Sequence, residues 1–188
     1  MARVSTRANN IASVRLLEKL SKIFILIFLL SSLQACGQQK VENKAYQVML
    51  QGLLSHSVEE VTVPEVLMLD SNTIYLDARE KVEFDISHLK NAIWVGYDDF
   101  NLNRVKDLNK DAKVVVYCSV GYRSEKVAEK LKDNGFENVS NLYGGIFEWK
   151  NEDLPIVNPE GELTDSIHAF DKTWGIWLRN GVKVYNVK

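Results

Sequence analysis

A chain of 188 residues, 46% hydrophobic and 26% charged, is long enough to bury a core and has an ordinary globular composition. Its net charge of −2 is unevenly spread, because Arg3, Arg7, Arg15, Lys19 and Lys22, against a lone Glu18, all precede residue 36. The remainder holds 18 basic and 24 acidic residues, and that net −6 argues against nucleic acid as a partner and against electrostatic binding to anionic lipid.

The basic start leads into an uninterrupted apolar run, Ile23 to Leu30, too short to span a bilayer comfortably. Leu33-Gln34-Ala35-Cys36 comes next. Together with the apolar run, these four residues resemble a bacterial lipobox, in which cleavage before the cysteine leaves a lipidated N-terminal residue. The resemblance implies a signal peptide over residues 1–35, lipidation at Cys36, and an exported protein held in the bacterial cell envelope, facing the periplasm, by acyl chains. An ordinary secretory signal cut near Ala35 and a short uncleaved anchor are the alternatives. Gly37 replaces the aspartate associated in some bacteria with inner-membrane retention, which favours the outer membrane. With Cys36 lipidated, Cys118 has no intrachain partner, so no disulfide framework holds the domain. A lone thiol in an oxidising compartment is either buried and inert or kept for chemistry.

Residues 36–44 are polar and lack periodicity, and read as a tether. A domain is expected over residues 45–157 and an extension packed on it over 158–188. Tyr46, Met49, Leu50, Leu53 and Leu54 fall at helical spacing. Val61 to Val63 reads as a short strand, with Pro64 and Glu65 opening a helix. Thr73 to Asp77 is the next strand, Lys81 to Ser87 a loop or helical turn, and Ala92 to Val95 another strand. Phe100 to Leu108 is predicted as a helix. Val114 to Tyr117 is β-branched and apolar, the signature of a strand buried on both faces of a parallel sheet. An amphipathic helix carrying Val127, Ala128 and Leu131 follows, with Ser124 as N-cap and Gly135 closing it. Val139 to Tyr143 is a strand, and Gly144-Gly145 turns into a short helix. In the extension, Phe170, Trp174 and Trp177 suggest a helix, and Val182 to Tyr185 an edge strand. Alternation at the spacing of βαβ units gives an α/β fold with a mostly parallel sheet flanked by helices.

Cys118-Ser119-Val120-Gly121-Tyr122-Arg123-Ser124 joins the central strand to its helix at the carboxyl edge of the sheet. The free N–H groups and positive end of a helix make such a loop an anion cradle and favour a thiolate at its rim. Gly121 allows the backbone to turn its amides inward. The loop follows the C-x-x-G-x-R-S form of the single-domain rhodaneses. Leu76-Asp77-Ala78-Arg79 resembles their strand-end D-x-R, and Glu83-Phe84 with His88 and Ala92 resembles their middle segment. Gly144-Gly145 with Trp149 resembles their closing G-G-x-x-x-W. Ser87, Lys90 and Asn91 depart from the usual glycines and proline of the middle turn, although asparagine tolerates a left-handed conformation.

The resemblance, running from about Val61 to Pro155, implies a three-layer rhodanese-like fold and sulfurtransferase activity without a cofactor. Cys118 would attack the outer sulfur of a small anionic donor such as thiosulfate, form a persulfide, and pass that sulfur to a thiol or to cyanide. Backbone amides of Ser119, Val120, Gly121, Tyr122, Arg123 and Ser124 would stabilise the charged sulfur. Arg123 would bind the donor or order the loop, and Asp77 and Arg79 would pair beneath it. Ser119, where some members carry a basic residue, leaves a less cationic mouth.

Each residue also has a plainer reading. Cys118 could be an inert core residue and Arg123 a surface charge, while His88 is read as a turn residue rather than a base. His56 and His168 have no companions at metal-ligand spacing, so no metal site is inferred. Trp94, Trp149, Trp174 and Trp177 are read as packing residues. Two other functions compete. A cysteine phosphatase or arsenate reductase carries five residues between Cys and Arg, where this loop has four. A membrane-tethered sulfur-carrier or binding module without turnover is the second.

Overall fold

Alternation along one strand divides the core in two. A computed structural model of the protein describes residues 39–185; the expected signal peptide over 1–35 and the expected lipidation site Cys36 lie outside them. Strand β4 (Val114–Tyr117) is buried along its whole length. Val114 and Val116, and Cys118 just beyond, face one apolar cluster with Val127, Ala128 and Leu131 of the helix α4 (Tyr122–Asp133). Val115 and Tyr117 face the other cluster, with Tyr46 and Leu50 of α1 (Lys44–Leu53) and Ile146 and Phe147 of α5 (Gly145–Asn151). A period of two on the strand therefore meets helices on both sides of the sheet.

The sheet has five strands in the order β1 (Glu59–Val61), β5 (Val139–Leu142), β4, β2 (Ile74–Asp77) and β3 (Ile93–Trp94), all pairs parallel. Asp77 pairs with Tyr117 in register, so β2 and β4 end level and release their following loops at one edge. Open α/β sheets place their ligand sites at that edge. Short helices α2 (Val63–Leu67) and α3 (Lys81–Phe84) follow β1 and β2. A Thr62–Glu65 capping box starts the first, as Pro64 in its first turn favours.

Several expected elements differ. The helix expected over Phe100 to Leu108 is only a 3₁₀ turn, Leu102–Val105, whose apolar members fasten it to the sheet without a full helical stripe. Strand β1 sits upstream of the expected Val61 to Val63, because Thr62 is taken as an N-cap. Trp174–Trp177 is likewise a 3₁₀ turn rather than a helix. The segment β9 (Val182–Val184) does not extend the main sheet; it pairs in parallel with β8 (Ser166–His168). Between them and α5 lies a small hairpin, β6 (Ile156–Val157) and β7 (Leu163–Thr164).

The two flanks are tied to the domain and to each other. Tyr46 stacks on Trp177 with centroids 5.3 Å apart, and its hydroxyl donates to Gly144 O at 2.8 Å. Residues 40–43, read from the sequence as tether, lie on the domain: Val41 is in the core, and the Glu42 N–H donates to buried Glu148 at 2.7 Å. An ion pair joins Glu42 to Arg179 of the extension. Among the described residues, no helix is long and apolar enough to cross a membrane.

Candidate active site

Cys118 is the first residue past β4, and its Sγ accepts the N–H of Gly121 at 3.1 Å. That bond requires the loop to fold back over three residues, and Gly121 permits it at φ +115°, a conformation costly for any residue with a Cβ. Helix α4 therefore starts at Tyr122, and the first N–H groups of a helix lack intrahelical partners. Ser124 is not the N-cap expected from the sequence. It lies in the first turn, because the left-handed glycine starts the helix earlier. Its Oγ sits 2.7 Å from Asn141 Oδ1 and 3.1 Å from Gly121 O, while Asn141 Nδ2 donates to the same carbonyl at 3.0 Å. These bonds fix the Gly121 carbonyl, and with it the start of the helix.

The start of α5 seals the loop from below. Ile146 and Phe147 donate their N–H groups to the carbonyls of Cys118 and Ser119 at 2.9 and 3.1 Å. A Cβ on Gly145 would lie 2.6 Å from Ser119 O and closer still to Cys118 O. Only glycine allows this approach, which is what the Gly-Gly pair supplies.

Arg123 does not present a free charge. Its Nη1 and Nη2 bind the two carboxylate oxygens of Glu83 at 2.5 and 2.9 Å, and Nη2 also reaches Ser119 Oγ at 3.0 Å. Ser119 Oγ donates to Glu83 at 3.1 Å, and the Glu80 N–H adds a bond of 3.0 Å. Burial opposes ionisation of Glu83, yet the Arg123 hydrogen bonds and charge, with Arg79 behind them, hold its carboxyl below the usual range. Of the two expected roles for Arg123, the contacts support loop ordering. Glu83 stands in the sequence only within the Glu83-Phe84 motif, and its pairing with Arg123, forty residues away, is a tertiary contact that no local pattern carries.

Asp77 and Arg79 form a fully buried pair, with Nη2 to Oδ2 at 2.6 Å and Nε at 3.0 and 3.1 Å from the two oxygens. Arg79 also donates to Ser87 O at 2.6 Å, pinning the middle turn. His88 serves that turn: its backbone pairs with Val157 and its Nδ1 lies 3.0 Å from Phe84 O. Asn91 takes the left-handed conformation, φ +62°, which asparagine tolerates.

A cavity of about 290 Å³ opens on the cysteine. Cys118, Ser119, Val120, Tyr122 and Arg123 line it from the loop, as the sequence suggests, whereas Gly121 and Ser124 act from behind. Leu53 of α1 and Phe170 and Trp174 of the extension complete the wall. Local pattern places Leu53 on a helix stripe and Phe170 and Trp174 in a helix of the extension, and does not show which sheet edge either flank will reach. Phe170 lies under the Arg123 guanidinium, 5.2 Å from its ring centroid, and its N–H donates to His168 Nδ1 at 3.2 Å. Burial lowers the pKa of His168; Glu83 opposes this, and Arg79 and Arg123 add to the lowering. Among the described residues, no cluster of three or more His, Cys, Asp or Glu is placed to hold a metal.

Residues 66–152 match the family model of the Rhodanese-like domain. The chain carries a rhodanese-like domain. Over 112 residues it is 39% identical to the tRNA uridine(34) hydroxylase of Listeria welshimeri, covering 56% of this chain and 34% of that protein. Over 116 residues it is 34% identical to the protein of the same name from Hamiltonella defensa, covering 56% and 31%. The chain thus spans about a third of the length of these curated relatives. Two solved structures share the fold at TM-score 0.50. One is the BH2092 protein of Bacillus halodurans, 24% identical over 63% of this chain and 88% of that one. The other is a thiosulfate sulfurtransferase of Pseudomonas aeruginosa, 18% identical over 62% and 23%. The rhodanese-like domain therefore has the α/β fold with a mostly parallel sheet between helices.

Because its folded pKa is depressed, Glu83 contributes stability that is complete above the ordinary carboxylate range and lost as pH falls through its lower folded value. Glu83→Gln is expected to destabilise the domain by about 3 kcal/mol at pH 7. In urea titrations the gap between wild type and variant should shrink below about pH 4. A constant gap from pH 3 to 7 would contradict the ionised pair.

Proposed function

We propose that the rhodanese-like domain is a sulfurtransferase working through a persulfide on Cys118. The observation that carries this reading is the Gly121 N–H on Cys118 Sγ, in a loop with four residues between cysteine and arginine. In the first step the Cys118 thiolate attacks the outer sulfur of a sulfane donor, of which thiosulfate is the simplest. An S–S bond forms, the donor's S–S bond breaks, and sulfite leaves with the electron pair. A thiolate or cyanide then attacks the outer persulfide sulfur and regenerates the Cys118 thiolate. The negative persulfide would form beside the Gly121 N–H and the start of α4, dipoles that are in place before the charge arrives. A phosphatase or arsenate reductase would need room for a tetrahedral oxyanion and a free guanidinium, and Arg123 is paired with Glu83.

The curated relatives bear the name of an enzyme acting on tRNA, and 39% identity favours a second reading, in which this domain does related chemistry on RNA. The net −6 over residues 36–188 weighs against it, since a phosphate backbone selects basic surfaces. The lipobox supports a further part of the proposal: lipidation of Cys36 and an envelope location, with the outer membrane favoured. In cells, Cys36→Ser is expected to move the protein out of the detergent-extracted membrane fraction; unchanged partitioning would remove the anchor.

Thiocyanate formation from a sulfane donor and cyanide tests the activity. Cys118→Ser is expected to reduce kcat/KM by roughly 10³-fold or more, as loss of a nucleophile does. Turnover that survives the substitution would end the proposal.

A further inference from the structure

Three of the eight residues that line the cavity over Cys118 lie outside 66–152, the stretch that matches the rhodanese-like domain: Leu53, Phe170 and Trp174. Its only charged lining residue is Arg123, whose charge is already met by Glu83, and the neighbouring Arg79 is matched by Asp77. A dianion entering here would lose hydration without gaining an uncompensated cation. An apolar group would instead meet Leu53 and the rings of Phe170 and Trp174. The aromatic wall is also held in place. Phe170 adopts φ +63°, an unfavourable conformation for a bulky residue, and its N–H is bonded to His168 Nδ1 in β8, which β9 pairs in turn. The Trp174 N–H is bonded to Asp171 Oδ1 at 2.9 Å. Strain kept at a site's rim by surrounding bonds marks a residue positioned for contact rather than left over.

We propose that Phe170 and Trp174 are specificity-determining residues that make Cys118 selective for sulfane sulfur carried on an apolar, aromatic organic group. The inference rests on the sulfurtransferase reading and names its donor class. With an organic thiosulfonate, the Cys118 thiolate bonds to the terminal sulfur. The bond from that sulfur to the sulfonyl sulfur breaks, and an organic sulfinate leaves with the electron pair; one monoanion and one thiolate become a persulfide anion and a sulfinate. The aryl group of the donor lies between Phe170, Trp174 and Leu53, while the loop amides face the transferred sulfur.

Benzenethiosulfonate and methanethiosulfonate carry the same charge and the same reacting atoms and differ in the apolar group. Thiocyanate formation is measured with the full chain, and kcat/KM for each donor is divided by its uncatalysed rate with cyanide. The corrected ratio is expected to favour the benzene donor by about 10–100-fold, the range for burying one aromatic side group. Phe170→Ala, at a half-exposed position, and Trp174→Leu are each expected to bring the ratio toward unity. A general loss of folded protein lowers both rates and leaves the ratio alone, so the ratio reads the wall itself. A wild-type ratio near unity, or one unmoved by both substitutions, overturns the selectivity while leaving sulfur transfer in place. Failure of both donors and of thiosulfate overturns the sulfurtransferase reading, and this inference with it.

Discussion

A carboxylate at the carboxyl edge of the sheet, Glu83, holds together parts of the chain that are far apart in sequence. Buried and ionised, it must be matched by donors, since an unpaired charge there would cost several kcal/mol. Arg123 and Ser119 from the cysteine loop supply most of them, and the Glu80 N–H supplies another. The loop is thereby anchored to α3, and through Arg123 and Phe170 to the C-terminal extension. The same pairing takes Arg123 out of play as a free anion receptor. Loop order and pocket charge are thus set by one interaction, in opposite senses: the loop gains rigidity as the pocket loses positive potential.

A second constraint is steric. The carbonyls of Cys118, Ser119 and Gly121 are taken by N–H groups of α5 and the Asn141 amide, and the Gly121 N–H is turned to the sulfur. This requires Gly121 in a left-handed conformation and Gly145 with no Cβ against the loop backbone. Both glycines lie in motifs whose spacing is visible in the sequence, and the geometry gives the physical reason for each. An alanine at Gly145 would have to displace the loop backbone, whereas one at Gly121 would have room but a strained φ of +115°.

The sheet and the loop were legible in the sequence because their signals are local. Val114 to Tyr117 could be only a doubly buried strand, and a cysteine ending it before a glycine and an amphipathic helix places a thiol at a helix start. The pairing of Asp77 with Arg79 was implied by the resemblance of Leu76-Asp77-Ala78-Arg79 to the rhodanese strand-end D-x-R. What local pattern does not carry is where long connections land. Phe100 to Leu108 has apolar residues near helical spacing, yet packing admits one 3₁₀ turn. Val182 to Val184 alternates like any edge strand and pairs with β8 instead of the main sheet. The partner of Arg123 and the aromatic wall over Cys118 are tertiary facts of this kind: Glu83 is forty residues from Arg123 along the chain, and Phe170 is farther still from Cys118. Ser124 shows a different limit, since its capping preference yields to a glycine whose positive φ starts the helix earlier.

The account stands on sulfur residing covalently on Cys118, and intact mass measurement reads that state directly. Residues 37–188 are treated with a sulfane donor, freed of excess reagent, and weighed before and after cyanide, beside Cys118→Ser. A gain of one sulfur atom that maps to the Cys118 peptide, disappears with cyanide and is absent from the variant is the predicted result. No gain from any donor, or a gain that Cys118→Ser retains, would contradict the account.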